Sequence, residues 1–246
     1  MIPFILSLAL ALAFLPWGIC SIRKRRLGNA RYFIFTIILA SIAVIVPVIT
    51  PVGTDQLWSF PQIPGLDEYI RLFSIHVPLA WVSVLAFAFS VIYSVAYLKN
   101  GNNTSAVVAH ASVKYGTIFC ILATVTGMIW AKHSWGTWWN WDPRQTSIAF
   151  LLLIYCTYFA LRAAITATKT KARISSVYAI LSGLTVPFFI FMLPRLTGGL
   201  HPGSGSSSPV AGGSILDSSL LYAFALSLYA MTSLFLVLID RQKDIK

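Results

Sequence analysis

IHVPLAWVSVLAFAFSVIYSVAYL, the run Ile75–Leu98, has 24 residues and no Asp, Glu, Lys or Arg. Crossing the hydrocarbon of a bilayer takes about 20 mostly apolar residues, and this run supplies them. In lipid each backbone N–H and C=O must be satisfied within the segment, so the run is expected to be an α-helix. Six other runs qualify or nearly qualify: Ile2–Cys20, Tyr32–Thr50, Val113–Ala131, Ser147–Ala167, Ile174–Leu193 and Ser218–Ile239. Pro47 and Pro187 lie inside two of them and are expected to kink the helices. The expected fold class is therefore all-α. It is a polytopic membrane helix bundle with six core transmembrane helices plus one extra N-terminal transmembrane segment. Residues 1–31 hold that segment and a basic cytoplasmic loop, and residues 32–246 hold the six-helix domain.

Composition agrees. The chain of 246 residues is 57% hydrophobic and only 10% charged, with a mean hydropathy of +0.78. A soluble domain needs about 25% charged residues to cover its surface, which places this chain in a membrane. The net charge of +11 does not point to nucleic acid, because the basic residues cluster in short loops between apolar runs. With the loop Ser21–Arg31 in the cytoplasm, the cytoplasmic side carries Arg23, Lys24, Arg25, Arg26, Arg31, Lys99, Lys114, Arg162, Lys169, Lys171, Arg173, Arg241, Lys243 and Lys246. The outer side carries Arg71, Lys132, Arg144 and Arg195. The positive-inside rule then puts the amino terminus out and the carboxyl terminus in. The first segment lacks a basic region before its apolar run and an A-x-A-like cleavage site, so it does not read as a secretory signal. Cys20, Cys120 and Cys156 form no paired motif and no Cys-x-x-Cys-His haem attachment, and are expected to serve in packing.

Between Trp130 and Trp141 lie five of the eight tryptophans, followed at once by Asp142 and Arg144. An interfacial aromatic belt would spread them over many helix ends, whereas one outer loop takes most of them. If the segment coils, Trp135, Trp138 and Trp139 share a face at i, i+3 and i+4. Such a shelf suits a large, flat, apolar ligand that carries a few charges.

The same topology brings His76 and His201 to the outer side, where two neutral imidazoles suit the axial positions of a haem iron. His76 opens a helix with Pro78 in its first turn, and His201 follows two glycines that let the backbone bend around a ligand. His133 ranks third, and His110 reads as a solvated residue of the cytoplasmic loop Lys99–Lys114. Arg71 and Arg144 are candidate partners for propionates, since a guanidinium pairs with a carboxylate in a bidentate fork. Asp142 can pair with Arg144, cap the helix starting near Pro143, or orient a ring N–H. The cap, with a supporting role in the site, is the favoured reading. The middle third of every expected helix is free of Asp, Glu, Lys, Arg and His, which argues against an ion-coupled transporter. With no Walker-type loop, any ATP-driven step needs a partner.

At these residues the chain resembles a known family. Trp135-Gly-Thr-Trp-Trp-Asn-Trp-Asp-Pro-Arg-Gln-Thr-Ser147 is similar to the tryptophan-rich WWD segment of haem-handling membrane proteins (CcmC, CcmF and CcsA). It is closest to the CcmC family, haem exporter protein C of cytochrome c maturation. His76-Val-Pro78 with Arg71 upstream, and His201 in the last outer loop, match the family's flanking histidines by position. The resemblance covers roughly Tyr32 to the carboxyl terminus. It implies non-covalent, transient haem b on the periplasmic face, with His76 and His201 as axial ligands. It places Trp135, Trp138, Trp139, Trp141 and Asp142 around the porphyrin, and Arg71 and Arg144 on the propionates. It further implies delivery to the haem chaperone CcmE beside the ABC-type CcmA and CcmB and the small CcmD, in a bacterial inner membrane or its organellar counterpart. The role is that of a haem handler more than a conventional enzyme. Two departures stand beside it. Ile2–Cys20 is extra to a six-helix family, and Trp-Asn-Trp-Asp-Pro leans toward CcsA-type cytochrome c synthetases, which attach haem directly to apocytochrome. A haem-free scaffold anchored by its tryptophans is the third reading.

Overall fold

The structure, a computed structural model, describes residues 30–53, 59–62, 67–201 and 218–244. The expected segment Ile2–Cys20 lies outside them, as do most of the basic loop after it and most of the Gly/Ser-rich stretch 198–208. The fold is an all-α polytopic membrane helix bundle. Among the described residues the β-pairing is an isolated bridge between Val52 and Phe60. The helices are α1 (Ala30–Ile49), α2 (Phe73–Asn100), α3 (Asn103–Trp135), α4 (Pro143–Ala164), α5 (Thr168–Pro187), the short α6 (Leu193–Thr197) and α7 (Ser218–Asp244). A 3₁₀ segment, Asp67–Leu72, leads into α2, and a π-helical turn, Phe188–Met192, links α5 to α6. Among the described residues, five helical stretches are long and apolar enough to cross a membrane, and α1 contributes a shorter apolar helix.

The chain divides into two compact units, residues 1–79 with 212–246 and residues 80–211. In the first, α1 packs along α7. Ser227 donates to the Ala43 carbonyl at 3.1 Å, and the Arg241 guanidinium lies over the Phe33 ring at 4.1 Å. The Arg71 guanidinium is engaged by Glu68 and by the Val48 carbonyl, which ties the 3₁₀ segment to the end of α1. Because the 3₁₀ segment runs straight into α2, Pro78 is the sixth residue of that helix and not part of its first turn.

In the second unit α3 begins ten residues before the expected Val113. Asn102 caps it, accepting from the Thr104 amide at 3.0 Å. The flanking Lys99 and Lys114 suggested a loop, yet the small residues between them let α3 pack closely: Ser105, Ala109, Ala111 and Ser112 are all buried. His110 is thus a helix residue, with Nδ1 3.2 Å from the Tyr158 hydroxyl, and not a solvated loop residue. The core stacks Phe87 on Tyr155, ring centroids 3.8 Å apart, with Val113, Cys120, Leu151, Tyr158, Ala179 and Val186 around them. Cys120 is buried as expected, but Cys156 is exposed on α4. Gly183 lets α5 approach α2 so closely that a Cβ there would lie 2.1 Å from Cγ2 of Val91.

A kink is expected at Pro187, and there the α-helical hydrogen bonding of α5 gives way to the π turn, with helical dihedrals kept through Phe188. That irregular turn and α6 both pack against α4, which carries the chain from Leu193 to His201 back toward the start of α4.

Candidate functional site

The site grows from the junction of α3 and α4. After Trp135 the chain leaves the helix at Gly136, whose φ of 80° is the left-handed conformation that glycine adopts without strain. The Gly136 amide donates to the Lys132 carbonyl at 3.1 Å, and the Lys132 ammonium donates to the Gly136 carbonyl at 2.9 Å. Trp135, Trp138 and Trp139 therefore do not share a helical face. The aromatic shelf belongs to a loop, residues 136–142.

Gln145, buried in the first turn of α4, braces that loop. Its side-chain oxygen accepts from the Asn140 amide at 2.9 Å, and its nitrogen donates to the Trp138 carbonyl at 3.4 Å. Asn140 accepts from the Asp142 amide at 3.3 Å, and the Thr146 hydroxyl donates to the Trp141 carbonyl at 3.0 Å. These bonds hold Trp141 at φ 57°, a left-handed conformation rare for a bulky residue and costing about 1–3 kcal/mol. The Trp139 and Trp141 rings meet edge to face at 5.6 Å, and Trp138 and Trp141 are 52% and 70% exposed. The loop presents wide apolar rings outward.

Asp142 joins this loop to the distant His201. It is the N-cap of α4, accepting from the Arg144 amide at 3.0 Å, with Pro143 as the first helical residue. Its second oxygen accepts from the Leu200 amide at 2.7 Å, and its first lies 3.0 Å from Nδ1 of His201. The carboxylate is 1% exposed and the imidazole 24%. Gly199 makes the approach feasible, because a Cβ there would lie 2.6 Å from the same Asp142 oxygen that receives Leu200. Burial alone favours the neutral carboxyl. The hydrogen bonds from His201, Leu200 and Arg144 outweigh it and hold Asp142 below the ordinary carboxylate range. A carboxylate at Nδ1 fixes the proton there and leaves the Nε2 lone pair as the free donor of the ring. The Trp135 ring meets the imidazole edge to face at 5.0 Å, restricting its rotation.

Two of the roles weighed for Asp142 thus occur together, the helix cap and the ring-orienting carboxylate. Arg144 meets it through the backbone amide. The Nε of Arg144 is buried and makes no hydrogen bond, and Arg195 lies close enough for the two positive charges to repel. A carboxylate-bearing ligand with an aromatic face fits this set: a free imidazole nitrogen, exposed indoles and a guanidinium with an unused donor. His133 is on the last turn of α3 and exposed. His76 and Arg71 belong to the other compact unit, His76 as the fourth residue of α2, half-buried. Sequence reasoning passed over Gln145, Gly199, Leu200 and Arg195. Of these only Gly199 left a signal, as one of the glycines before His201.

The family model described as Heme exporter protein C matches residues 26–245. A Heme exporter protein C from Paracoccus denitrificans is 30% identical over 195 residues, 76% of this chain and 77% of that protein. One from Bradyrhizobium diazoefficiens is 32% identical over 177 residues, 70% and 66% of the respective chains. A putative cytochrome c biosynthesis ccmC-like mitochondrial protein from Marchantia polymorpha is 30% identical over 189 residues, 76% and 79%.

Proposed function

This chain belongs to the Heme exporter protein C family, whose members handle haem in cytochrome c maturation, and from that premise we propose that it binds haem b non-covalently and hands it on. The observation that carries the proposal is the Asp142–His201 pair beside Trp135, a carboxylate-oriented imidazole in an aromatic setting. The haem iron supplies ligand-binding chemistry when present, and the residues of this chain hold and orient it. His201 would offer Nε2 to the haem iron while Asp142 keeps the ring in the required tautomer. His76, which belongs to the other compact unit, would supply the second histidine ligand. Trp138, Trp139 and Trp141 cover porphyrin surface, as does Trp135 behind His201. Arg144 pairs with a propionate, and Arg71 serves the second one after exchanging its present partners, Glu68 and the Val48 carbonyl.

The site faces the periplasm in a chain with its amino terminus out and its carboxyl terminus in, consistent with the sign of the loop charges. The recipient is a CcmE-type chaperone, and CcmA, CcmB and CcmD-type subunits complete the assembly. The role is delivery more than conventional catalysis. Protein purified from haem-replete cells is expected to show a Soret band that a His76→Ala, His201→Ala double variant loses. Colourless wild-type protein refutes the proposal. The CcsA-like alternative is decided in cells lacking the chaperone: restoration of c-type cytochromes there identifies a synthetase and removes CcmE from the scheme.

A further inference from the structure

On the surface of the second unit, at the opposite end of α4 from Asp142, a shallow groove of about 290 Å³ runs between α4 and α5. Leu161, Ile174, Val177, Tyr178 and Leu181 line it, and its lining is almost wholly apolar, with Arg173 at its start. Residues 173, 174, 177, 178 and 181 form one stripe of α5, as helical periodicity requires. Val177 and Leu181 are 45% and 60% exposed.

Lys169 stands one turn before Arg173 on the same exposed face of α5, so two cations lie in line with the start of the groove, whereas Lys171 is on the opposite face. Asp142 is the single acidic residue between positions 80 and 211. It stands at the far end of a 22-residue helix, about 33 Å away at 1.5 Å per residue. No carboxylate within this unit can neutralise the cluster. Arg162 is already directed to the Ser175 hydroxyl, at 3.3 Å. An apolar channel that opens onto uncompensated positive charge is complementary to a molecule with a hydrocarbon chain and an anionic head.

We propose that this groove binds an anionic phospholipid, with an acyl chain along Val177 and Leu181 and the phosphate against Arg173 and Lys169. The site is independent of the haem reading and lies on surface that this reading does not use.

The test uses the full chain in detergent, titrated with phosphatidylglycerol or with phosphatidylcholine of identical acyl chains, bound lipid being counted by native mass spectrometry. Wild type is expected to retain phosphatidylglycerol preferentially. Arg173→Gln should reduce that preference about fivefold, the effect of one basic residue at an anionic surface, and K169Q/R173Q by more than tenfold. Val177→Trp fills the groove and leaves the charges in place, so it should lower retention of both lipids. Leu181→Phe is the milder version if the first variant fails gel filtration. Equal retention of the two lipids by wild type overturns the proposal. So does unchanged binding in the groove-filling variants, or displacement by millimolar glycerol phosphate, which marks a headgroup site with no role for the chain. Haem absorbance should stay unchanged in Arg173→Gln, which separates failure here from failure of the haem reading.

Discussion

Asp142→Asn tests whether the carboxylate organises the proposed haem site or merely starts a helix. Asp142 accepts three hydrogen bonds through two oxygens: the Arg144 amide and the His201 ring at one, the Leu200 amide at the other. Asparagine has one oxygen. If that oxygen keeps the cap, its NH₂ faces the Leu200 N–H, donor against donor. If it turns over, the NH₂ donates to Nδ1 of His201 and moves the ring proton to Nε2, the atom needed for iron. Removing an orienting partner of a metal-bound histidine lowers affinity about 10–100-fold, so Asp142→Asn should weaken haem binding by that factor. Asp142→Ala goes further. It removes a cap worth about 1 kcal/mol and two charge-assisted bonds worth about 1.5–3 kcal/mol each, roughly 4–7 kcal/mol concentrated where the loop carrying His201 is anchored. The assay is a haem titration of detergent-solubilised protein followed by Soret absorbance, with circular dichroism and gel filtration as folding controls. Wild-type affinity and an unchanged spectrum in folded Asp142→Asn protein, alongside loss in His201→Ala, would refute the ring-orienting role and leave Asp142 a helix cap.

Gly199→Ala should also weaken haem binding, through displacement of Leu200 from the carboxylate, because its methyl would sit 2.6 Å from Asp142 and 3.1 Å from Pro143; the same titration reads it. The Asp142 carboxyl lies below its ordinary value, so the stability it contributes is complete above about pH 4 and is lost as pH falls through the lower folded value. Haem retention should accordingly hold down to about pH 4 and then drop, with that acid step missing in Asp142→Asn. Gly183→Ala should destabilise the second unit by about 1–3 kcal/mol through overpacking, with Val91→Ala restoring much of the loss in thermal unfolding. If Val91→Ala adds its own destabilisation instead, close packing of α5 on α2 is not the reason for the glycine.

The helices were legible because lipid removes the alternatives. A run such as Ile75–Leu98 has no water to satisfy its backbone, so composition and length lead directly to α2. The cap at Asp142-Pro143 was legible for a similar local reason, since residue types at helix starts are set by the orphan amides next to them. Loop residues in Asn103–Ser112 were misread because polar, small residues that pack helix against helix resemble those of a turn. The helical indole face failed because Gly136 takes the left-handed conformation and ends α3 one residue after Trp135.

By itself the sequence determined a basic, strongly apolar chain of membrane helices, and it singled out Trp135–Arg144, His76 and His201 as candidate site residues. Only tertiary structure decided that Asp142 and His201 meet at 3.0 Å across 59 residues of chain. That contact depends on the π turn after Pro187, on α6 packing against α4, and on a glycine small enough to admit a carboxylate. Periodicity encodes which face of a helix is apolar. It does not encode where two irregular segments come to rest against each other, because that is settled by side-chain volume and by hydrogen bonds between residues far apart in sequence.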